Sequence, residues 1–186
     1  MNTENSNMGM KQDAEVVRGG AMGSGIGFST HYDIECFDKD GNLKWEESFD
    51  NLVVNAGLDD NLDKYFKGAA YTAGFFVGLT DGTPTPAAAD VMSSHVGWVT
   101  VTPYSDASDP ALTLGTVTGQ SVDNSASKAV FNINATQTVG GAFVKDNSTK
   151  AGATGLLYGI GAFAADKAVT SGDTLNVTIT LTAAAV

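Results

Sequence analysis

The chain has 186 residues, enough for one well-buried domain or for a domain with an appendage. Its formal net charge of -11, from 21 Asp plus Glu against 10 Lys plus Arg, argues against a protein that wraps nucleic acid and against an anionic membrane surface. With 22 glycines, 17% charged residues and a mean hydropathy of -0.02, the composition points to a turn-rich β protein and away from a helical bundle or a disordered chain.

Residues 1–27 are polar and then glycine-rich, closing on Arg18-Gly-Gly-Ala-Met-Gly-Ser-Gly-Ile-Gly27. Such a segment buries too little apolar area to offset its ordering entropy. It reads as a tail, or as an arm that orders by lying on a partner. Its first residues have no basic start and no apolar run, so no secretory signal is expected. A lone cysteine, Cys36, forms no internal disulfide and implies no oxidising compartment.

From Phe28 the pattern changes. Tyr32, Ile34 and Cys36 alternate with Asp33 and Glu35, and Asp38-Lys-Asp-Gly-Asn42 turns the chain into Leu43–Phe49, which predicts a hairpin with an Asp-Gly tip. A calcium loop counted from Cys36, with Asp38, Asp40, Gly41 and Glu47 in register, is the sharper alternative, but it begins on a thiol and follows a strand. After a short strand over 50–55, Asn55–Gly68 predicts one amphipathic helix. Asn55 is its expected N-cap, Asp59 and Asp60 lie near its positive end, and Leu58, Leu62, Tyr65 and Phe66 share one face. That face is expected to plug the open side of a sheet, the alternative being a groove on a partner. Gly74–Thr80 predicts a strand, 81–90 a Pro-rich loop, Val91–Val96 a helical turn, Trp98–Thr102 a strand and 104–110 a loop.

The last third is a train of short strands. Lys128–Ala135 places Ala129, Phe131 and Ile133 inward, Thr138–Val144 follows, and Gly155–Phe163 is apolar and glycine-spaced. Thr174–Thr182 alternates throughout, with Leu175, Val177, Ile179 and Leu181 on one face, as a half-buried strand requires. About nine strands and one helix with frequent turn signals predict an all-β chain: an antiparallel β-sandwich or jelly roll over 28–186, one short amphipathic helix, and an extended N-terminal arm over 1–27.

The search for chemistry is negative. His31 and His95 are far apart and have no ligand spacing around them, and neither an acyl-transfer elbow nor a phosphate loop occurs. The carboxylates fall mostly in turns and on the helix, where solvation is the default, although a glycosidase pair need only meet in space. Trp98 and Tyr104 are the loop aromatics a carbohydrate site would use. No catalytic residue, cofactor or metal is expected.

Asp50–Leu58 with its helix, Phe75–Leu79 with the Thr-Pro-Thr-Pro loop, Asp123–Phe131, Val139–Phe143, Leu157–Gly159 and Ser171–Leu175 together resemble small structural proteins of tailed bacteriophages, over about residues 28–182. The resemblance implies a non-enzymatic virion protein, foremost a capsid decoration or cement protein on the outer head surface, and next a tail-fibre, head-fibre or baseplate component. It further implies the major capsid protein as partner, homo-oligomers (trimers, then dimers) at symmetry axes, and neither nucleic acid nor membrane as partners. The arm would then touch the capsid through Arg18, Gly19, Gly20, Met22, Gly25 and Ile26.

Overall fold

A computed structural model describes residues 25–71 and 74–185. The strands are β1 (Ile26–Phe37), β2 (Leu43–Asp50), β3 (Leu52–Val53), β4 (Phe76–Thr80), β5 (Ser121–Asp123), β6 (Ala129–Asn132), β7 (Gln137–Lys145), β8 (Leu157–Val169) and β9 (Thr174–Ala185). One α-helix, α1 (Asn55–Tyr65), lies between β3 and β4, and a single 3-10 turn covers Ser125–Ser127. The chain is mainly β, as its alternation and turn chemistry require.

The strands form two antiparallel sheets. In the first, β9 is the axis: β1 pairs with it from Ile26↔Ala185 to Phe37↔Thr174, β2 lies outside β1, and β5 and β6 share the other edge of β9 end to end. The second runs β3-β8-β7-β4. Their facing sides make the main core. Tyr32, Ile34, Phe131, Leu175, Val177 and Ile179 come from the first sheet, and Val77, Leu79, Val144 and Phe163 from the second. The inward residues of β9 are the ones its period of two selects. Aromatic rings join the layers, Phe49 meeting Phe163 edge-on at 5.3 Å and stacking flat on Tyr32 at 5.1 Å.

The second sheet is buried on both faces along Val139–Lys145 of β7 and Leu157–Phe163 of β8, which explains why these stretches read as apolar runs without alternation. Its outer face carries a smaller core of Val54, Met92, Trp98, Phe143, Leu157 and Ile160. Close approaches supply the space: a Cβ on Gly78 would stand 2.1 Å from the Phe143 ring, so the ring lies flat over that glycine.

Several expectations need correction. Strand β1 begins at Ile26, two residues inside the expected arm. The helix N-cap is Val54, without a side-chain cap, because the Asn55 N–H is taken by the Ala88 carbonyl at 2.8 Å. No acidic residue lies in its first turn. Segment 98–102 is not a strand: Val101 and Asp81 donate to the Leu79 and Val99 carbonyls, but the Asp81 side chain takes the Val99 N–H and breaks the ladder, leaving the isolated Thr80↔Thr100 bridge. Segment 91–96 is a tight turn closed by Val91 and Ser94, not a helical turn. The hairpin at 38–42 excludes the calcium loop: Cys36 points into the core, and the Asp38 carboxylate accepts the Asp40 and Asn42 N–H groups at 2.9 Å, while Gly41 holds the positive φ of 83°.

Candidate functional site

The helix sits on β8 with the face opposite to the one its leucines suggest. Gly57 is its only buried residue, and a Cβ there would lie 2.3 Å from the Tyr158 carbonyl oxygen. Backbone therefore packs on backbone, and the inward face continues with Asp60, Asn61 and Lys64: Asn61 donates to the Tyr158 hydroxyl at 3.1 Å, and Lys64 stands 3.6 Å from Asp60. At 3.6 residues per turn this turns Leu58, Leu62 and Tyr65 to the outside. Leu62, Tyr65 and Phe66 are exposed, Tyr65 at 78%.

These side chains meet the far end of the first sheet. Strands β1 and β9 run on past β2 as a two-stranded tip, where Ile26 and Phe28 are also exposed. Between tip and helix lies a groove of about 720 Å³ lined by Ile26, Phe28, Leu62, Tyr65, Phe66 and Tyr71, with little polar surface. Tyr65 and Phe66 hold each other edge-on at 5.0 Å. Of the lysines nearby, Lys64 also lines the groove, donating to the Ala70 carbonyl and standing 3.6 Å from Asp60, and Lys67 pairs with Asp63 at 2.5 Å. Along Ile26–Ser29, no described strand pairs with the β1 edge facing away from β9, so among the described residues its backbone N–H and C=O groups have no ladder partner beside the apolar wall. Clustered exposed apolar side chains on an acidic domain are the usual mark of a contact surface.

Of the residues expected to touch a capsid, Gly25 stands just before β1 and Ile26 lines the groove. Arg18, Gly19, Gly20 and Met22 lie outside the described residues. The loop aromatics are not presented to solvent: Trp98 is buried under His95, whose ring stacks on it at 3.6 Å, and Tyr104 is buried against Phe131. The histidines are apart, as their spacing implied. His31 binds Asp50 at 2.8 Å and Ser48 at 2.9 Å, and the Asp50 bond raises its pKa, whereas burial lowers that of His95.

A second depression, between β1 and β2, gathers carboxylates, but Glu35 is paired with Lys128 and Glu47 with Lys167, each at 2.6 Å. Among the described residues, no group of His, Cys, Asp and Glu is gathered as for a metal ion. None of the described helices is long and apolar enough to cross a membrane. No protein-family model matches the sequence, and no curated protein is significantly similar to it.

The groove was hidden in the sequence because the amphipathic pattern of 55–66 gives a face without saying which side is covered. The one signal was Gly57, in the middle of the expected helix and on the face with Asn61 and Lys64. A glycine there is unfavourable by about 1 kcal/mol unless something must come close.

Proposed function

We propose that the chain is a non-enzymatic virion structural protein, a decoration or cement protein that binds the outer surface of a tailed-phage head and strengthens its capsomer contacts. The observation that carries this reading is the apolar groove at the end of the sandwich where residues 1–24 join β1. Exposed aromatics and a free strand edge form one docking end on an otherwise acidic domain. The free edge of Ile26–Ser29 suits an added strand, and the groove suits the side chains of that strand. The partner is the major capsid protein, with homo-oligomers seated at its symmetry axes. A protein that binds the assembled lattice and not its free subunits stabilises the shell by mass action. The resemblance to phage structural proteins supplies the virion setting, and the rigid two-sheet body fits a part that carries load without turnover.

The test is co-sedimentation of the full chain with heads assembled without it, beside a Tyr65→Ser/Phe66→Ser double variant and a chain lacking residues 1–24. The wild type should saturate the heads at a fixed stoichiometry. Both altered proteins should keep the wild-type melting temperature and stay in the supernatant. No binding by the wild type, or equal binding by the double variant, refutes the reading. Virion density confined to the tail would move the protein from head to fibre or baseplate.

A further inference from the structure

A second cluster lies at the C-terminal end of β7 and shares no residue with the groove. Lys145 ends β7 with its ammonium wholly buried against Asp109 of the 103–111 loop, which is wholly buried too. Nζ is 2.7 Å from Asp109 Oδ2, yet Oδ2 has no hydrogen-bond partner: the distance is that of a bond and the direction of approach is not. The Tyr104 hydroxyl donates to Asp109 Oδ1, and Lys145 donates to the Thr149 carbonyl at 2.7 Å. Around them the loop is fixed by Asp109 N–H to the Ser148 carbonyl at 2.9 Å, and by Lys150, which donates to the Tyr104 and Asp106 carbonyls and lies 3.8 Å over the Tyr104 ring.

As an ion pair this cluster is poorly served. Two desolvated charges need full hydrogen bonding to offset their burial, and one carboxylate oxygen has none. The fixed partners match a different species: an amide wants one donor on its oxygen and one acceptor on its N–H, which are the Tyr104 hydroxyl and the Thr149 carbonyl.

We propose that Lys145 and Asp109 condense to an intramolecular isopeptide bond, stapling the 103–111 loop to the end of β7. The ammonium proton passes to the carboxylate, giving amine and acid. The Nζ lone pair then attacks Cγ, forming the C–N bond, while the carbonyl electrons move onto Oδ1, held by the Tyr104 hydroxyl. Collapse of the adduct breaks Cγ–Oδ2, and that oxygen leaves as water with the acid proton and one amine proton. No oxidant or cofactor enters. Groups held this close can reach effective molarities of about 10⁵–10⁸ M. Burial and the Asp109 bond hold the Tyr104 hydroxyl protonated, ready to support the oxyanion. An open depression lined by Asp106, Ser108, Asp109 and Asn132 lies outside the pair and gives the water its exit.

Mass spectrometry of the denatured full-length protein is the test. The wild type should be lighter than its sequence by one water, and proteolysis should yield a branched peptide joining the segments that contain Asp109 and Lys145. Full sequence mass overturns the proposal. So does a one-water loss found only in linear peptides, as a cyclised Asp-Gly at 40–41 or 81–82 would give. The Tyr104→Phe variant tests the hydroxyl: it should retain the water over times at which the wild type is fully joined, and equal joining would remove Tyr104 from the step.

Discussion

Two single substitutions in α1 should have effects opposite to those its sequence suggests. In a helix whose leucines plug a sheet, Leu62→Ala leaves a cavity and costs about 2–5 kcal/mol, while Gly57→Ala improves helix propensity by about 1 kcal/mol. Here Leu62 is 54% exposed, so truncating it forfeits only part of the roughly 1.5–3 kcal/mol of a buried leucine, about 1 kcal/mol at most. At Gly57 the new methyl would lie 2.3 Å from the Tyr158 oxygen, a backbone atom that cannot rotate aside. Restoring ordinary contact at 3.4 Å lifts the helix by about 1 Å. That strains the Val54 N–H bond to Tyr158 at 3.2 Å and the Asn61 bond at 3.1 Å. Overpacking costs about 1–3 kcal/mol and each weakened bond about 1 kcal/mol, against about 1 kcal/mol of propensity gained. The net loss is about 2–4 kcal/mol, a fall in Tm of about 4–16 °C for a chain of this size. Urea and thermal unfolding of both variants read this directly. A Leu62→Ala protein less stable than Gly57→Ala would mean the helix lies leucine face down, and the groove would disappear with it.

Four further measurements probe the core and its titrating groups. The two histidines should separate in an NMR titration, His31 above the ordinary value of about 6.5 and His95 below it. A raised folded-state pKa means that protonated His31 stabilises the fold fully below about pH 6.5 and loses that contribution as pH rises through the folded value. His31→Gln should flatten that part of the Tm-against-pH curve, and an unchanged curve would show the Asp50 bond to be idle. Burial pushes the Cys36 thiol up to about 11, so it should resist alkylation at pH 8 in the native protein and react on unfolding. Rapid native labelling would mean that β1 opens. Ile179→Asp places a charge where no solvent reaches, at a cost of about 4 kcal/mol or more, and soluble protein should be lost. A normal melting temperature would reverse the facing of β9.

What the sequence made legible was local and periodic. In β9 a side chain's parity decides its face, and Leu175, Val177 and Ile179 are buried as their spacing says. The Asp-Gly hairpin and its turn follow equally from residues a few positions apart. What stayed illegible depends on pairs distant in the chain. Segment 98–102 has strand composition, but whether it completes a ladder is decided by the Asp81 side chain. Gly57 looks like a defect in a helix until the Tyr158 carbonyl is placed above it. Lys145 follows an apolar run and reads as the solvated end of a strand, yet β7 is covered on both sides, so neither parity brings it to water.

Both sites share that origin. The second sheet is covered on its outer face by chain lacking regular structure of its own, together with one short helix. Where the cover touches through a glycine, its apolar side chains are left over and face outward as the groove. At the other site the 103–111 loop lays Asp109 on the buried end of β7, Tyr104 reaches it from the main core, and a charge pair is enclosed there. Under the two proposals each would be relieved by a bond the isolated fold lacks: a noncovalent contact to a partner at the groove, a covalent amide at Lys145. The two can be separated by experiment, because Tyr65→Ser/Phe66→Ser leaves the mass of the chain's junction untouched and Tyr104→Phe leaves the groove intact.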